Sequence, residues 1–352
     1  MLDLYSPSGK EEEILEFTEG YLHRHGLPVI KQKVDQHRYN LLVLPEDPHQ
    51  VSLCFIGHLD TVAAYDLAEF GFRHEGESIF GVGSADMKSG CAAMMEMFTV
   101  LAEHDRIPPT VGLALVVGEE EDNSGAHTLV DGYHFPWAVI GEPTDLAPCL
   151  GHFGYLEVLL RTQGRRAHPA VPKQGQNAIF GMLQLLLSVT EFATLKQGGL
   201  VYNIRDLSVL PLGFFVPESC EAWLDLHMPP DYEIDGLKTE LEELVATCSQ
   251  KTPLLETEIS FEENQAGYRI SPEKPIVKIL KQVYDSLSLA WGPADFRSHS
   301  DANILWTAGT APVILGPGRL EEAHTPDESV SFTQVLDASR IYLNLALLMS
   351  QS

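Results

Sequence analysis

The spacing of apolar positions in the first half of the chain predicts strands that alternate with helices. Runs of apolar or β-branched residues with the length of a strand lie at 41–44, 51–58, 111–117 and 137–143. The segment 89–104 is rich in Ala, Met and Leu, which is typical of a buried helix. Strand, helix, strand, helix, strand indicates an α/β layer built on a mostly parallel sheet flanked by helices.

The N-terminal segment predicts an amphipathic helix. Ser8 and Glu11 have the S-x-x-E spacing of a capping box, which marks the start of a helix. Apolar residues then recur with helical spacing from Ile14 to Leu22. We therefore expect a helix that begins beside Ser8 and ends near Gly26.

The pattern changes near residue 153 and favours a separate α+β unit. The expected elements are strands at 155–164, 206–216, 220–228 and 255–263 and helices at about 175–192 and 232–249. After this block the helix and strand pattern of the first half resumes. We expect an α/β domain formed by 1–152 and 266–352, with a smaller α+β domain inserted at 153–265.

Length and charge restrict the classes of partner. A chain of 352 residues is too long for one ordinary core and suits two domains. It has 23 Lys and Arg against 50 Asp and Glu, a formal net charge of −27. Nucleic acid and anionic membranes are therefore not expected as partners. The acidity weakly favours a ligand with a cationic side chain, although a solvated acidic surface is the more common explanation.

The cysteines and the N-terminal residues favour the cytoplasm. The five cysteines are odd in number and widely spaced, which fits free thiols in a reducing compartment. Residues 1–14 lack the apolar stretch of a secretory signal. The most apolar later stretch, 179–189, has about half the length that crosses a bilayer, so we expect a core helix there.

Two candidate metal ligands follow the first predicted strands. His58 and Asp60 come directly after a buried strand, where open α/β sheets bind their ligands. An H-x-D pair can place an imidazole on a metal ion with a carboxylate behind it, but the pair alone is more often structural. Asp86 lies in a Gly-rich turn before a helix, where a helix cap is the ordinary alternative.

More acids follow the next two strands. Glu119, Glu120 and Glu121 come after one, Glu142 ends the other, and His324 lies in a later polar loop. Clustered like charges are unfavourable unless a cation neutralises them or the loop is solvated, and the run alone leaves both open. Together, two imidazoles and at least three carboxylates at one sheet edge predict a dinuclear zinc or cobalt site. The sequence contains no G-x-S-x-G elbow, no phosphate loop and no complete dinucleotide motif, so no organic cofactor is expected.

At this point the chain resembles a known family. It is similar to the zinc-dependent amidohydrolases and peptidases that include acetylornithine deacetylase, succinyl-diaminopimelate desuccinylase, aminoacylase and the carboxypeptidase G group. The resemblance spans essentially the whole chain. Its motifs, in order, are GHLDTV (57–62), GVGSADMKSG (81–90), GEEEDNSGA (118–126), GEPTD (141–145), GRRAHPAVPKQGQNAI (164–179) and EEAHTPDE (321–328).

The resemblance implies a ligand set for two divalent metal ions, with zinc expected and cobalt or manganese as alternatives. The implied ligands are His58 and Glu142 for one ion, Glu120 and His324 for the other, and Asp86 as the bridge between them.

Three further residues receive roles from the resemblance. Asp60 would support His58, and Glu119 would be the general base that works with a metal-bridging hydroxide. His168 would stabilise the oxyanion of the tetrahedral intermediate. In dimeric relatives this histidine reaches the neighbouring subunit, so a homodimer through the inserted lid and dimerisation domain is implied.

The expected reaction is hydrolysis of the amide bond of an N-acyl amino acid or short peptide, with acetylornithine-type deacetylation as the first specific expectation. A dipeptidase or aminoacylase of the same family is the alternative. A non-catalytic metal-dependent binding scaffold is less favoured, because the base and all the implied ligands are present. Phe214, His227 and the SHSDAN loop at 298–303 depart from the family pattern, which implies altered substrate recognition. Arg269 and Arg297 are candidates to hold a substrate carboxylate.

Overall fold

A computed structural model describes residues 1–67, 70–196, 198–251 and 255–350. The chain forms two compact units. The first comprises Met1–Gly151, Ile270–Phe296 and Ser300–Ser352, and the second comprises His152–Arg269 and Arg297–His299.

The first unit has a large central sheet, a separate small sheet that includes β4 and β5, and helices packed on them. Its strands are β1 Ile30–Lys33, β2 Tyr39–Val43, β3 Leu53–His58, β4 Arg73–Glu75, β5 Ser78–Phe80, β6 Val111–Val116, β7 Trp137–Ile140 and β8 Cys149–His152. Its helices in this part of the chain are α1 Glu12–Arg24, α2 Lys88–Glu103 and α3 Ser124–Gly132.

The second unit is built from an antiparallel sheet and two long helices. Its elements are β9 Gly154–Gln163, α4 Ala178–Leu195, β10 Val201–Ser208, β11 Ser219–Met228, α5 Ile234–Lys251, β12 Glu256–Gln265 and β13 Tyr268–Arg269. The chain then completes the first unit with α6 Pro275–Leu287, β14 Ala294–Phe296, α7 Asp301–Thr307, β15 Ala311–Ile314, β16 Ser329–Ser331 and α8 Phe332–Met349.

The central sheet of the first unit is mixed, with a parallel centre. Its strand order is β1-β2-β6-β3-β7-β15-β8, and β14 pairs with β8. The pairs β6–β3, β3–β7 and β7–β15 are parallel, whereas β1–β2, β2–β6 and β15–β8 are antiparallel. Every residue of β3 and β6 is buried, as continuous apolar runs predict for strands covered on both faces. The expected α/β class is therefore confirmed.

The N-terminal helix begins differently from the sequence expectation. α1 starts at Glu12, and no side chain caps its first turn. The hydroxyl of Ser8 instead donates to the Asp60 carboxylate at 2.7 Å, and Glu11 is fully buried. The predicted capping box is wrong, because Ser8 forms a hydrogen bond with Asp60, far away in sequence, and not with the first turn of α1.

The second unit buries one face of each helix against its sheet, whose order is β10-β11-β9-β12. Ala178, Met182 and Leu185 of α4 belong to its core, so the expected core helix is confirmed. α4 begins and ends about three residues later than the helix expected at 175–192, and its 18 residues could, by length and composition alone, cross a membrane. The strand expected at 206–216 lies earlier, as β10.

Candidate metal centre

Parallel strand order brings the acidic and histidine residues to one edge of the sheet. His58 is the last residue of β3, Glu119 and Glu120 follow β6, and Glu142 follows β7. Because β6, β3 and β7 are parallel neighbours, their carboxyl ends meet. Asp86 comes from the turn before α2.

Asp86 lies between two imidazoles. Its Oδ1 is 3.2 Å from His58 Nε2, and its Oδ2 is 3.4 Å from His324 Nε2. His324 is also 3.0 Å from Glu120 Oε2. One carboxylate thus faces two separate groups of ligand atoms, as the proposed bridging role requires.

The group around His58 is the more buried of the two. Its Nε2 lies 3.6 Å from Glu142 Oε1 and 3.8 Å from Glu119 Oε2. Its Nδ1 contacts the backbone carbonyl of Asp60 at 3.0 Å and the carboxylate of Asp60 at 3.6 Å. In a neutral His58 ring, a hydrogen bond donated from Nδ1 would leave the lone pair on Nε2, which is the tautomer that a metal ligand needs.

The Asp60 carboxylate ties together three distant segments. Its Oδ2 accepts hydrogen bonds from the Ser8 hydroxyl at 2.7 Å and from the backbone N–H of Glu120 at 3.0 Å. It therefore holds the Glu119–Glu120 turn beside His58. Sequence analysis missed Ser8 as a supporting residue, since its spacing from Glu11 also fits a local cap.

A close backbone approach fixes Glu142. A Cβ atom added to Gly90 of α2 would lie 2.2 Å from the carbonyl oxygen of Gly141, and one added to Gly316 would lie 2.1 Å from the same oxygen. Only glycine fits at both positions. The glycine after Asp86 in the predicted turn motif thus lets α2 pack directly on the residue that precedes Glu142.

The imidazoles are strongly influenced by their acidic neighbours. Burial alone would lower the pKa of His58, but the negative charge of Glu142 and the other carboxylates raises it well above its usual range. For His324, the effect of burial is likewise outweighed by Asp86 and Glu120, which raise its pKa to about 11. Both rings lie in a field that attracts positive charge.

Burial and neighbouring charges also shift the pKa values of the carboxyl groups. Burial raises the pKa of Glu119 and of Glu142 well above the usual range, and the charge of Asp86 adds to the effect at Glu142. Asp86 itself has a lowered pKa, because the hydrogen bonds from the two histidines outweigh its burial. The cluster therefore holds more carboxyl groups than its two imidazoles can pair, and burial disfavours the charge of the remaining ones.

The donor set fits divalent metal ions. Ligand atoms lie within 4.8 Å of one another in the groups His58, Asp86 and Glu142; His58, Glu119 and Glu120; and Asp86, Glu120 and His324. The buried Oε1 of Glu142 has no hydrogen-bond partner. Imidazole and carboxylate groups gathered in one buried cluster are the ligands that zinc and similar ions bind.

Comparison with known proteins agrees with this chemistry. Residues 54–348 match peptidase family M20/M25/M40. The chain belongs to this family. The M20-family chain is a metal-dependent hydrolase of amide or peptide bonds, as the motifs predicted.

Relatives and solved structures cover nearly all of the M20-family chain. An acetylornithine deacetylase of Aliivibrio salmonicida is 26% identical over 333 residues, which cover 88% of this chain and 84% of the relative. A tripeptidase from Staphylococcus aureus has a TM-score of 0.82 at 20% identity and covers 100% of this chain and 96% of its own. A metallo-carboxypeptidase from Sulfolobus solfataricus has a TM-score of 0.72 at 15% identity, with 100% and 98% covered. These structures confirm the fold.

The remaining predicted residues of the M20-family chain lie in the second unit. His168 is exposed in the loop between β9 and α4, where its Nδ1 accepts the backbone N–H of Ala170 at 3.2 Å. Arg269 pairs with Asp231 at 3.4 Å, and Arg297 is exposed. The roles of these three residues therefore stay predictions.

The departures from the family pattern have distinct environments. Phe214 is fully exposed at the tip of the β10–β11 connection. His227 is half-buried, and its ring lies 5.3 Å from that of Tyr155 and 5.6 Å from that of His299. The Tyr155 hydroxyl donates to Asp225 at 2.9 Å. No signal in the sequence predicted this stack of rings.

Proposed function

We propose that the protein hydrolyses the amide bond of an N-acyl amino acid or short peptide, with acetylornithine-type deacetylation as the first candidate. The observation that supports it best is the position of Asp86, with one oxygen toward each imidazole. In this proposal two divalent ions, zinc first and cobalt or manganese as alternatives, share the Asp86 carboxylate. The ligands are then His58 and Glu142 for one ion and Glu120 and His324 for the other.

Two divalent ions, when bound, lower the pKa of water and polarise the scissile carbonyl. Glu119 accepts the proton of the attacking water and returns it to the leaving amine. Its side chain is 10% exposed, and its raised pKa, caused first by burial, suits a group that must hold a proton during the reaction. Asp60 keeps His58 and the Glu119–Glu120 turn in place.

Substitution of the base tests this assignment. Glu119→Gln is expected to lower kcat by about 100- to 10,000-fold while bound zinc is retained, because a positioned general base contributes that much. Glu121→Gln is the matched control, since Glu121 is the exposed neighbour in the same acidic run. Turnover is measured over N-acetyl and N-succinyl amino acids and dipeptides with zinc, cobalt and manganese. Unchanged turnover in Glu119→Gln would overturn the mechanism.

We further propose that the second unit is a lid and dimerisation domain. Phe180 and Leu187 on one face of α4 are 66% and 70% exposed, and Leu183 lies beside them. β10 is an edge strand that exposes Val201, Ile204 and Leu207. Exposed apolar surface and an open strand edge in one unit support association with a second copy.

In this dimer His168 serves the partner's centre and donates to the oxyanion of the tetrahedral intermediate. Mixing a Glu119→Gln chain with a His168→Ala chain should then restore part of the activity, because one hybrid site contains both residues. Each variant alone is the control. A lack of recovery after verified subunit exchange would contradict action across subunits.

We also propose a cytoplasmic location, since Cys54, Cys91, Cys149 and Cys220 are buried as thiols.

A further inference from the structure

Glu328 joins the loop that carries His324 to the turn that carries Asp86. Its side chain is buried, with only 3% of the residue exposed. One carboxylate oxygen accepts the backbone N–H groups of Ala85 at 2.8 Å and Asp86 at 3.0 Å. The other oxygen accepts the N–H of Gly83 at 3.0 Å. Three main-chain donors of one turn therefore depend on a single side chain.

The main chain around Glu328 strengthens the connection. The carbonyl oxygen of Glu328 accepts the N–H of Gly81 at 3.2 Å, and Ser329 of β16 pairs with Phe80 of β5. Gly83 has a φ of +80°, so the turn uses a conformation that favours glycine. The carboxylate thus binds the N–H groups of a turn in which Gly83 belongs to neither a strand nor a helix.

Both segments that meet at Glu328 carry a proposed ligand. The N–H that Glu328 binds belongs to Asp86 itself, so the contact fixes the backbone from which the bridging carboxylate projects. His324 has a φ of +60°, an uncommon conformation for a residue other than glycine. Such a conformation persists only where the surrounding structure holds it.

We propose that Glu328 is a positioning residue that sets the spacing between the bridging carboxylate of Asp86 and the imidazole of His324. It contacts neither the substrate nor the metal ions, and it acts through the backbone of the 83–86 turn. The inference rests on the proposed function, because it takes Asp86 and His324 as metal ligands. The effect of Glu328 should therefore appear in metal affinity and kcat rather than in KM.

Two variants and a matched control test this role. Glu328→Ala removes all three accepted bonds, whereas Glu328→Gln keeps one oxygen for Ala85 and Asp86. Glu322→Gln is the control: Glu322 lies on the same loop, and its carboxylate binds the Ser329 hydroxyl at 2.7 Å and the Arg319 guanidinium rather than the 83–86 turn. Zinc affinity is measured by chelator competition, turnover by kcat and KM, and folding by the thermal midpoint of the metal-free chain.

Glu328→Ala is expected to lower the affinity for zinc and kcat by about 10- to 100-fold, the usual effect of removing a group that orients metal ligands. KM should stay close to that of the unaltered chain. Glu328→Gln should recover part of both losses, and Glu322→Gln should lose neither.

Unchanged zinc affinity in both Glu328 variants would overturn the proposal. The same conclusion follows if the Glu322→Gln control loses as much as Glu328→Ala, or if KM rises while affinity and kcat hold. If Glu328→Ala fails to fold, Glu328→Gln decides, because it replaces oxygen with a group of the same size. A chain that binds zinc but hydrolyses none of the substrates would refute the proposed function alone, since zinc affinity still tests Glu328.

Discussion

His58 and His152 are both fully buried histidines, yet their environments push their pKa values in opposite directions. His58, in the first unit, is surrounded by carboxylates, and its pKa is raised well above the usual range. In the second unit, the Nδ1 of His152 contacts the carbonyl oxygen of Phe153 at 2.8 Å, and its ring stacks on Tyr268. Burial lowers the pKa of His152 to about 3, and His299 and His227 add to the effect.

The contrast shows that burial does not decide the charge of an imidazole. Removal from water disfavours the cation in both units, and only nearby negative charge can reverse the sign. The acids of the first unit therefore create a buried place for positive charge. In the second unit, burial is the largest cause of the lowered pKa values of His152 and His227, so the same type of side chain meets opposite electrostatic environments in the two units.

The largest expected effect comes from removing the acid that both imidazoles of the centre share. Asp86→Ala should lower zinc affinity and kcat/KM by at least about 100-fold, more than the loss of a group that only orients a ligand. Bound zinc per chain after dialysis and turnover measure the two losses. Asp131→Asn, at an exposed acid of the same unit, removes the same charge and should change neither. Equal zinc content in Asp86→Ala would contradict the bridging role.

The same small substitution should have opposite effects in helices of the two units. Gly90→Ala in α2 forces a methyl group against the Gly141 carbonyl and should lower the free energy of unfolding by about 1–3 kcal/mol. Gly236→Ala in α5 places its methyl group 3.9 Å from the nearest atom and should raise it by about 0.5–1 kcal/mol. Thermal unfolding of the two variants tests both signs. A stabilised Gly90→Ala chain would show that the close approach is not rigid.

The last expected effect concerns stability in acid and is absent at neutral pH. Because the pKa of His152 is about 3 in the folded chain and near 6.5 when unfolded, the unfolded state takes up the proton first. The stability that depends on a neutral His152 is fully present above pH 6.5. It is lost as the pH falls toward 3, by up to about 1.4 kcal/mol per pH unit. In a His152→Phe chain, the free energy of unfolding should fall less steeply between pH 6 and pH 4 than in the unaltered chain. Parallel curves for the two chains would refute this assignment.

The strands that carry the centre could be predicted because their apolar runs are continuous and their order follows from parallel pairing. β3, β6 and β7 lie where the sequence placed them, and each is followed by an acid or histidine of the cluster. Ser8 could not be assigned, because local spacing favours a cap while Asp60 lies far away in sequence. Glu328 lay inside a quoted motif, but its partners are backbone N–H groups, which no side-chain pattern reveals.

β15 lies between β7 and β8 in the central sheet, although the whole second unit separates it from them along the chain. During synthesis, the edge of β7 that pairs with β15 therefore stays open until β15 leaves the ribosome. An unpaired strand edge is a site for wrong association. Biosynthesis of this enzyme thus has a vulnerable interval, which ends when β15 pairs with β7.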